Sequence, residues 1–361
     1  MLSRVLSLSV RALAAAVAML LLAALVLSSD TNAQVWSSQL AQEPVCQTLT
    51  PGAAGGPLPT SQNLMVLRYL GVSNYELTYR DNVILLDAGI DKLPWWLPTG
   101  VSRDEMTRHV NGIFIGHAHG EHFWDAPFIA QKSGAFVMAD PIAMRWIRST
   151  GLVAEKQMVT VKGLPGDPPP LKFNGFTVQA VQGHHNIVPG EYMATNRAAA
   201  EAVGALRAPL TPAEQARLKE FQGMAQITAE ERARLITEGT MAYVFRFDNG
   251  FTLFYADSAG PTTAAEQQLA KQYPNGIDVG LIPYYGGELA IPITMQYVNL
   301  LKPAIILPTH HDGHRARMLD MPLGPLALAV REAHPKSRVV SPLYRTPVCV
   351  DTATKQIYIG Q

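Results

Sequence analysis

Histidine placement constrains this chain more than any other feature. The 361 residues contain ten histidines, and eight of them fall in three short segments: His117, His119 and His122; His184 and His185; His310, His311 and His314. Each segment follows closely on a strand-like apolar run: Ile113 to Gly116, Phe176 to Gln182, and Ala304 to Leu307. Loops at strand ends are where a rigid scaffold presents functional side chains; histidines scattered through a core would not gather this way. The first segment, His117-Ala118-His119-Gly120-Glu121-His122, places three imidazoles and a carboxylate within six residues, a donor set suited to a transition metal. Histidine and carboxylate ligands fit zinc, and a catalytic zinc keeps one position open for water. His310 would supply a further ligand, and Asp257, at the end of the apolar run Phe254-Tyr255-Ala256, is placed to bridge two metals. His109 and His334 read as ordinary polar histidines, and His311 and His314 as loop neighbours of His310.

The rest of the pattern is α/β. Short β-type runs, Leu64 to Leu70, Tyr75 to Tyr79 and Val83 to Asp87, are separated by Gly, Ser and Asn turns. Phe123 to Lys132 has helical spacing, and Ala135 to Ala139 reads as a buried strand. Later strands at Ala242 to Phe247 and Phe251 to Tyr255 flank Asn249-Gly250, a strong hairpin signal. Thr262 to Tyr273 then reads as a helix, and helices and strands alternate to the end. Residues 195–238 shift to Ala, Glu, Arg and Gln. Thr211-Pro212-Ala213-Glu214 and Thr228-Ala229-Glu230-Glu231 each pair an N-cap threonine with Glu three residues on. This stretch is expected to be a helical insertion that serves packing, with a lid or membrane-facing cover as the functional alternative. Residues 34–62, rich in Gly, Pro, Ser, Thr and Gln, read as a loose lead into a folded domain over 63–361. The aromatic pairs Trp95-Trp96 and Tyr284-Tyr285 fit core or rim packing, with a place at a substrate mouth as the alternative; Met295 and Met318 fit packing.

Residues 1–33 carry the order of a secretory signal peptide: Arg4 and Arg11, an apolar run from Ala12 to Leu27, and a small polar end at Thr31-Asn32-Ala33. The alternative is an uncleaved anchor, for which the run is shorter than the roughly 20 residues a spanning helix prefers. The expected location is periplasmic or secreted, with no transmembrane span after cleavage. Cys46 and Cys349, in the similar contexts Pro44-Val45-Cys46 and Pro347-Val348-Cys349, either pair across the chain in an oxidising compartment or are unrelated thiols. Lys+Arg and Asp+Glu both number 29, which leaves no electrostatic footprint for nucleic acid.

The ordered ligand set resembles the metallo-β-lactamase superfamily, whose pattern is H-x-H-x-D-H, then a distant His, an Asp after a strand, and a final His. All four elements occur here in that order, over about Asn63 to Ile359. Ile84-Leu85-Leu86-Asp87-Ala88-Gly89 looks like the family's early strand ending in an acidic residue. The run Trp124 to Asp140 looks like the branch typified by ascorbate-phosphate lactonase and the phospholipase D-type enzyme acting on N-acylphosphatidylethanolamine. The resemblance implies a four-layer αββα sandwich. It implies that His117 and His119, with His184 or His185, bind a first metal, that His122 and His310 bind a second, and that Asp257 bridges them. Strand register favours His185 over His184. Asp87 would hold a ligand imidazole in place. The family's Asp in the first motif is Glu121 here, one methylene longer. It either keeps its place on the second metal, which is the expectation, or weakens that site, or acts only as an acid/base.

The chemistry implied is hydrolysis. One or two zinc ions, or another divalent transition metal, would lower the pKa of water to about 7 and yield hydroxide at neutral pH. The metal would stabilise the oxyanion, and Asp257 or Glu121 would carry the proton. The expected function is an exported metal-dependent hydrolase of an ester, lactone or amide in a small-molecule or lipid-like substrate. A phosphodiesterase of the phospholipase D type and a metal-binding relative without turnover are the alternatives. A G-x-S-x-G nucleophile elbow is absent.

Overall fold

A computed structural model describes residues 39–91, 99–186, 209–224, 238–258, 260–312, 321–341 and 343–360, with isolated positions between 194 and 234. The leader, Trp95-Trp96, His314 and Met318 lie outside the described residues. In chain order the strands are β1 (Leu64–Tyr69), β2 (Tyr75–Tyr79), β3 (Asn82–Leu86), β4 (Gly112–Phe114), β5 (Phe136–Ala139), β6 (Met158–Thr160), β7 (Leu171–Phe173), β8 (Phe176–Gly183), β9 (Thr240–Phe247), β10 (Thr252–Ala256), β11 (Val279–Pro283), β12 (Ile305–Thr309), β13 (Arg338–Val339), β14 (Pro347–Asp351) and β15 (Ile357–Ile359). The helices are α1 (Gly120–Phe123), α2 (Ala126–Ser133), α3 (Pro141–Ser149), α4 (Pro212–Met224), α5 (Ala264–Ala270), α6 (Ala290–Leu301) and α7 (Leu323–Ala333).

The strands form two mixed sheets, one in the order β15-β14-β1-β2-β3-β4-β5-β6 and the other β13-β12-β11-β10-β9-β8-β7. Each combines an antiparallel meander with parallel strands: β3 to β6 run parallel in the first, β10 to β13 in the second. Alternation along each strand divides its side chains between two cores. Ile84 and Leu86 of β3 face the second sheet, in a cluster with Tyr243, Phe245, Leu281 and Leu307. Val83 and Leu85 face outward, under Ile129, Ala130 and Ile147 of the helices. On the other sheet Ile306 packs outward under Tyr297 and Val330 while Leu307 packs inward. The result is four layers, αββα, as the resemblance implied.

Local signals hold where they are strongest. Asn249-Gly250 closes the β9–β10 hairpin, with Gly250 at φ +85°. Asp140 caps α3: the Ile142 and Ala143 N–H groups donate to its Oδ1 at 2.7 and 3.3 Å, and Pro141 takes the first helical position. Thr211 and Glu214 form the expected capping box ahead of α4, and Glu231 N–H donates to Thr228 Oγ1. The helix read over Phe123 to Lys132 is broken into α1 and α2 by Asp125, whose carboxylate accepts the Ile90 and Asp91 N–H groups instead of leaving a continuous helix surface. Among the described residues, no helix is long and apolar enough to cross a membrane.

The described part of the N-terminal lead is not loose. Leu40, Val45, Cys46 and Ala53 are buried, and Cys46 is disulfide-bonded to Cys349 of β14. That bridge closes a loop of 303 residues and so restricts the unfolded chain. The backbone of this Gly/Pro-rich stretch is satisfied by a fully buried ion pair, Arg68–Glu76, at 3.2 Å. Arg68 donates to the Val45 carbonyl, and Glu76 accepts the Gly52 and Ala53 N–H groups at 2.9 and 2.8 Å. Composition misleads here because the partners come from β1 and β2. Glu76→Ala leaves a buried guanidinium uncompensated and two N–H groups without acceptors. It is expected to lower unfolding free energy by about 3–5 kcal/mol, read by denaturant titration; a change near zero would mean the lead does not depend on this pair.

Candidate metal centre

Strand direction gathers the site residues. β3 and β4 are parallel, so Asp87 and the His117 segment lie past the same ends. In the other sheet β8 and β10 both run antiparallel to β9, and β10 to β12 are parallel, so His185, Asp257 and His310 also follow strand ends that point one way. Carboxyl ends of strands are the usual place for ligands in α/β sheets.

The geometry fixes how each ring is presented. His117 Nδ1 lies 2.6 Å from Asp257 Oδ2, and His117 Nε2 lies 2.9 Å from His119 Nδ1. His185 Nδ1 faces the Asn186 carbonyl at 3.0 Å, and its Nε2 faces His119 Nδ1 at 3.3 Å. An imidazole whose Nδ1–H donates to an oxygen turns its Nε2 lone pair the other way. The facing nitrogens of His117, His119 and His185 therefore converge on one another, an arrangement that a cation resolves. His122 Nδ1 is held by Asp87 Oδ2 at 2.6 Å, with Ser73 Oγ at 2.7 Å, and lies 3.3 Å from Asp257 Oδ2. Three overlapping groups have ligand atoms close enough to share an ion: His117, His119 and His185; His117, His122 and Asp257; Glu121, His122 and His310.

Two buried atoms, His122 Nε2 and Asp257 Oδ1, have no hydrogen-bond partner among the described residues. A buried polar atom left so is unfavourable by about 1–3 kcal/mol. Orphaned donors and acceptors inside a His/carboxylate set fit a bound divalent metal, which would take them as ligands.

Burial, with the surrounding imidazoles, pushes His117 well below its ordinary value and His185 down to about 3. Burial also opposes the charged form of His122, but the carboxylates of Asp87 and Asp257 outweigh it and lift that ring to about 9. Burial raises Asp257 well above the carboxylate range, against the pull of His122.

The frame is tight. A Cβ on Gly116 would overlap the Asp257 carboxyl at 1.9 Å, and one on Gly89 would meet the Glu121 carbonyl at 2.1 Å. Asp87 and His310 both sit at φ +59°, and Val72 at φ +58°. Left-handed backbone is rare for such residues and concentrates where function fixes geometry. His310 N–H donates to the Val72 carbonyl, and Val72 N–H to the Asp312 carboxylate, so the β1–β2 turn is pinned to the β12 loop.

Most expected ligands meet here, Glu121 among them, grouped with His122 and His310. His184 does not: its Nδ1 faces the His185 carbonyl, and no group includes it. Register decides this, since one residue past β8 reverses the side-chain direction. Tyr285 packs on His310 with ring centroids 4.8 Å apart, and Tyr284 is buried, so the pair serves packing. His311 stacks on Tyr69 at 4.9 Å. Ser73, in the turn Gly71-Val72-Ser73-Asn74, was not legible: its local pattern is that of any β-turn.

No family model matches the chain. A UPF0173 metal-dependent hydrolase of Brucella anthropi is 28% identical over 141 residues, and its counterpart from Brucella ovis 29% over the same length. Each match covers 39% of this chain and 54% of the relative, so the chain spans about half the length of the curated relatives it matches. Among solved structures, the metallo hydrolase Igni18 of Ignicoccus hospitalis superposes with TM-score 0.54 at 15% identity, over 79% of this chain and 98% of that one. A possible metal-dependent hydrolase of Veillonella parvula gives TM-score 0.51 at 15% identity, over 81% and 100%. The αββα sandwich with an ordered His/carboxylate set at its strand ends is the metallo-β-lactamase fold. The chain is similar to proteins named metal-dependent hydrolases.

Metal uptake is expected to divide by pH. His117 and His185 are already neutral near pH 7, whereas His122, lifted to about 9, must release a proton when the Glu121–His122–His310 cluster fills. The second equivalent should tighten as pH rises from about 7 to about 9, with about one proton released, while the first changes little. Calorimetry in buffers of different ionisation enthalpy reads the proton count; a pH-independent second equivalent would contradict the assignment.

Proposed function

We propose that the protein is a metal-dependent hydrolase that cleaves an ester, lactone or amide bond by activated water. The observation that carries this reading is the convergence of the facing nitrogens of His117, His119 and His185 beside the buried Asp257 carboxylate. His117, His119 and His185 would hold one cation, and Glu121, His122 and His310 a second, with Asp257 between them. Zinc suits this donor set. When bound, such a cation supplies Lewis-acid activation of water and of the carbonyl.

The chain's own groups do the rest. Asp87 and the Asn186 carbonyl orient the rings of His122 and His185. The Asp257 carboxyl, which burial makes a better proton holder, stands to carry the proton of the attacking water to the leaving group. The relatives' description as metal-dependent hydrolases supports the reading. Export through the leader at residues 1–33 belongs to the same proposal, supported by the Cys46–Cys349 disulfide, a bond that forms and persists in oxidising compartments and is rare in the cytosol.

Purified mature protein is expected to carry one to two equivalents of zinc and to hydrolyse members of a panel of 4-nitrophenyl esters, lactones and amides. His119→Ala should lose metal and at least ~100-fold in kcat/KM. Cleavage of bis-4-nitrophenyl phosphate alone would move the reading to phosphodiester chemistry. A metal-free, fully active His119→Ala would overturn it.

A further inference from the structure

The outer edge of β8 is open at one residue. Backbone N–H and C=O groups alternate between the two sides of an antiparallel strand. Gln182 turns its pair away from β9: its N–H donates to the Gly163 carbonyl at 3.0 Å, and its carbonyl accepts Thr263 Oγ1–H at 2.6 Å. Val178, with the same phase, pairs with Leu171 of β7. Ala180 lies between these two and shares their phase, so its N–H and C=O also face outward. β7 begins only at Leu171. Continued by two residues, its register would set Pro169 opposite Ala180, and a proline has no N–H to give a ladder. Among the described residues, no hydrogen bond reaches the outward groups of Ala180, although the residue is only 8% exposed.

The space left at this edge is a cavity of about 480 Å³. One wall is the strand edge, residues 178–181, and the other is the loop over residues 163–170. Met138, Val161 and Val178 form an apolar floor that belongs to the core between the sheets. On the other side stand Ala265 and Leu269 of α5. The paired positions at Val178 and Gln182 bound the slot, which is about 13 Å long at 3.3 Å per residue.

An open strand edge is a template for another chain. Water can meet the two groups of Ala180, but it leaves the apolar floor hydrated. An extended peptide meets both needs: its main chain supplies the hydrogen bonds and its alternate side chains fill the pockets. The residue set opposite Ala180 would exchange both backbone bonds with it. Its side chain would point as Ala180 does, toward Met138 and Val161, and its two neighbours would point toward α5.

We propose that this slot binds a short extended peptide, about three residues long, by completing the edge of β8, with an apolar side chain at the residue opposite Ala180. Because the slot is bounded at both ends, the occupant is a free peptide rather than a segment within a longer chain. The site is separate from the metal centre: Ala180 precedes His185 by about 16 Å of extended chain. The inference goes beyond the hydrolase reading and does not rest on it.

The test is calorimetric titration of the full protein with N-acetyl-Ala-Leu-Ala-amide and with the same peptide N-methylated at leucine, which lacks the N–H that the Ala180 carbonyl would accept. The parent peptide is expected to bind at one equivalent, and the N-methyl peptide roughly tenfold more weakly or worse. Ala180→Pro deletes the outward N–H and leaves the β8–β9 ladder intact, so it should weaken the parent peptide to a similar degree; if it does not fold, the comparison of peptides on the wild type decides. His119→Ala should bind the parent peptide within about twofold of wild type. Binding of neither peptide, equal affinity for both, or full affinity in a folded Ala180→Pro would overturn the proposal. Loss of binding in His119→Ala would also overturn it, by placing the peptide at the metal centre.

Discussion

The short contacts between imidazole Nδ1 atoms and oxygens of the surrounding frame are what the rest of the site depends on. Asp257 takes His117, Asp87 takes His122, and the Asn186 carbonyl takes His185. Each contact uses one ring nitrogen and aims the other at a shared space. Without them the rings would be free to turn, and the nitrogens facing one another at 2.9 and 3.3 Å would have no reason to stay together. The oxygens are themselves held. Ser73 Oγ–H donates to Asp87 Oδ2, and the Gly116 N–H donates to Asp87 Oδ1 at 2.9 Å. A buried carboxylate that is hydrogen-bonded on both oxygens is a rigid platform, and outer contacts of this kind tune ligand basicity as much as position.

The sandwich supplies that rigidity. The parallel strands β3 and β4 lead into Asp87 and His117, and β10 and β12 into Asp257 and His310, and all four of these strands are buried on both faces. The left-handed backbone at Asp87, Val72 and His310 is tolerated because this packing over-determines it. The turn after β1 sits between the two halves of the site: Val72 binds the His310 and Asp312 side, and Ser73 and Asn74 bind the His122 and Gly89 side. A single turn thus couples the ligands of one sheet to those of the other.

The sequence carried the metal-binding layer of this account because its parts are local. His-x-His-x-Glu-His packs four donors into six residues, and apolar runs announce the strands they follow. Asp87 and Asp257 were legible for the same reason, each closing a buried strand. The lead from Gln39 to Ala54 was misread because its stability comes from Arg68 and Glu76, distant partners that composition does not register. The choice between His184 and His185 turned on one residue of register, which the alternation in β8 suggested without deciding. Ser73 was beyond reach: a turn serine looks the same whether it faces a metal ligand or solvent.

The central claim is that the converging rings are arranged around a cation, and location of that cation tests it most directly. Crystals of the zinc-loaded protein, with anomalous diffraction collected on both sides of the zinc absorption edge, are expected to show a peak within bonding distance, about 2.0–2.1 Å, of His117 Nε2, His119 Nδ1 and His185 Nε2. Zinc found only elsewhere on the molecule, with these three rings hydrogen-bonded among themselves, would contradict the account.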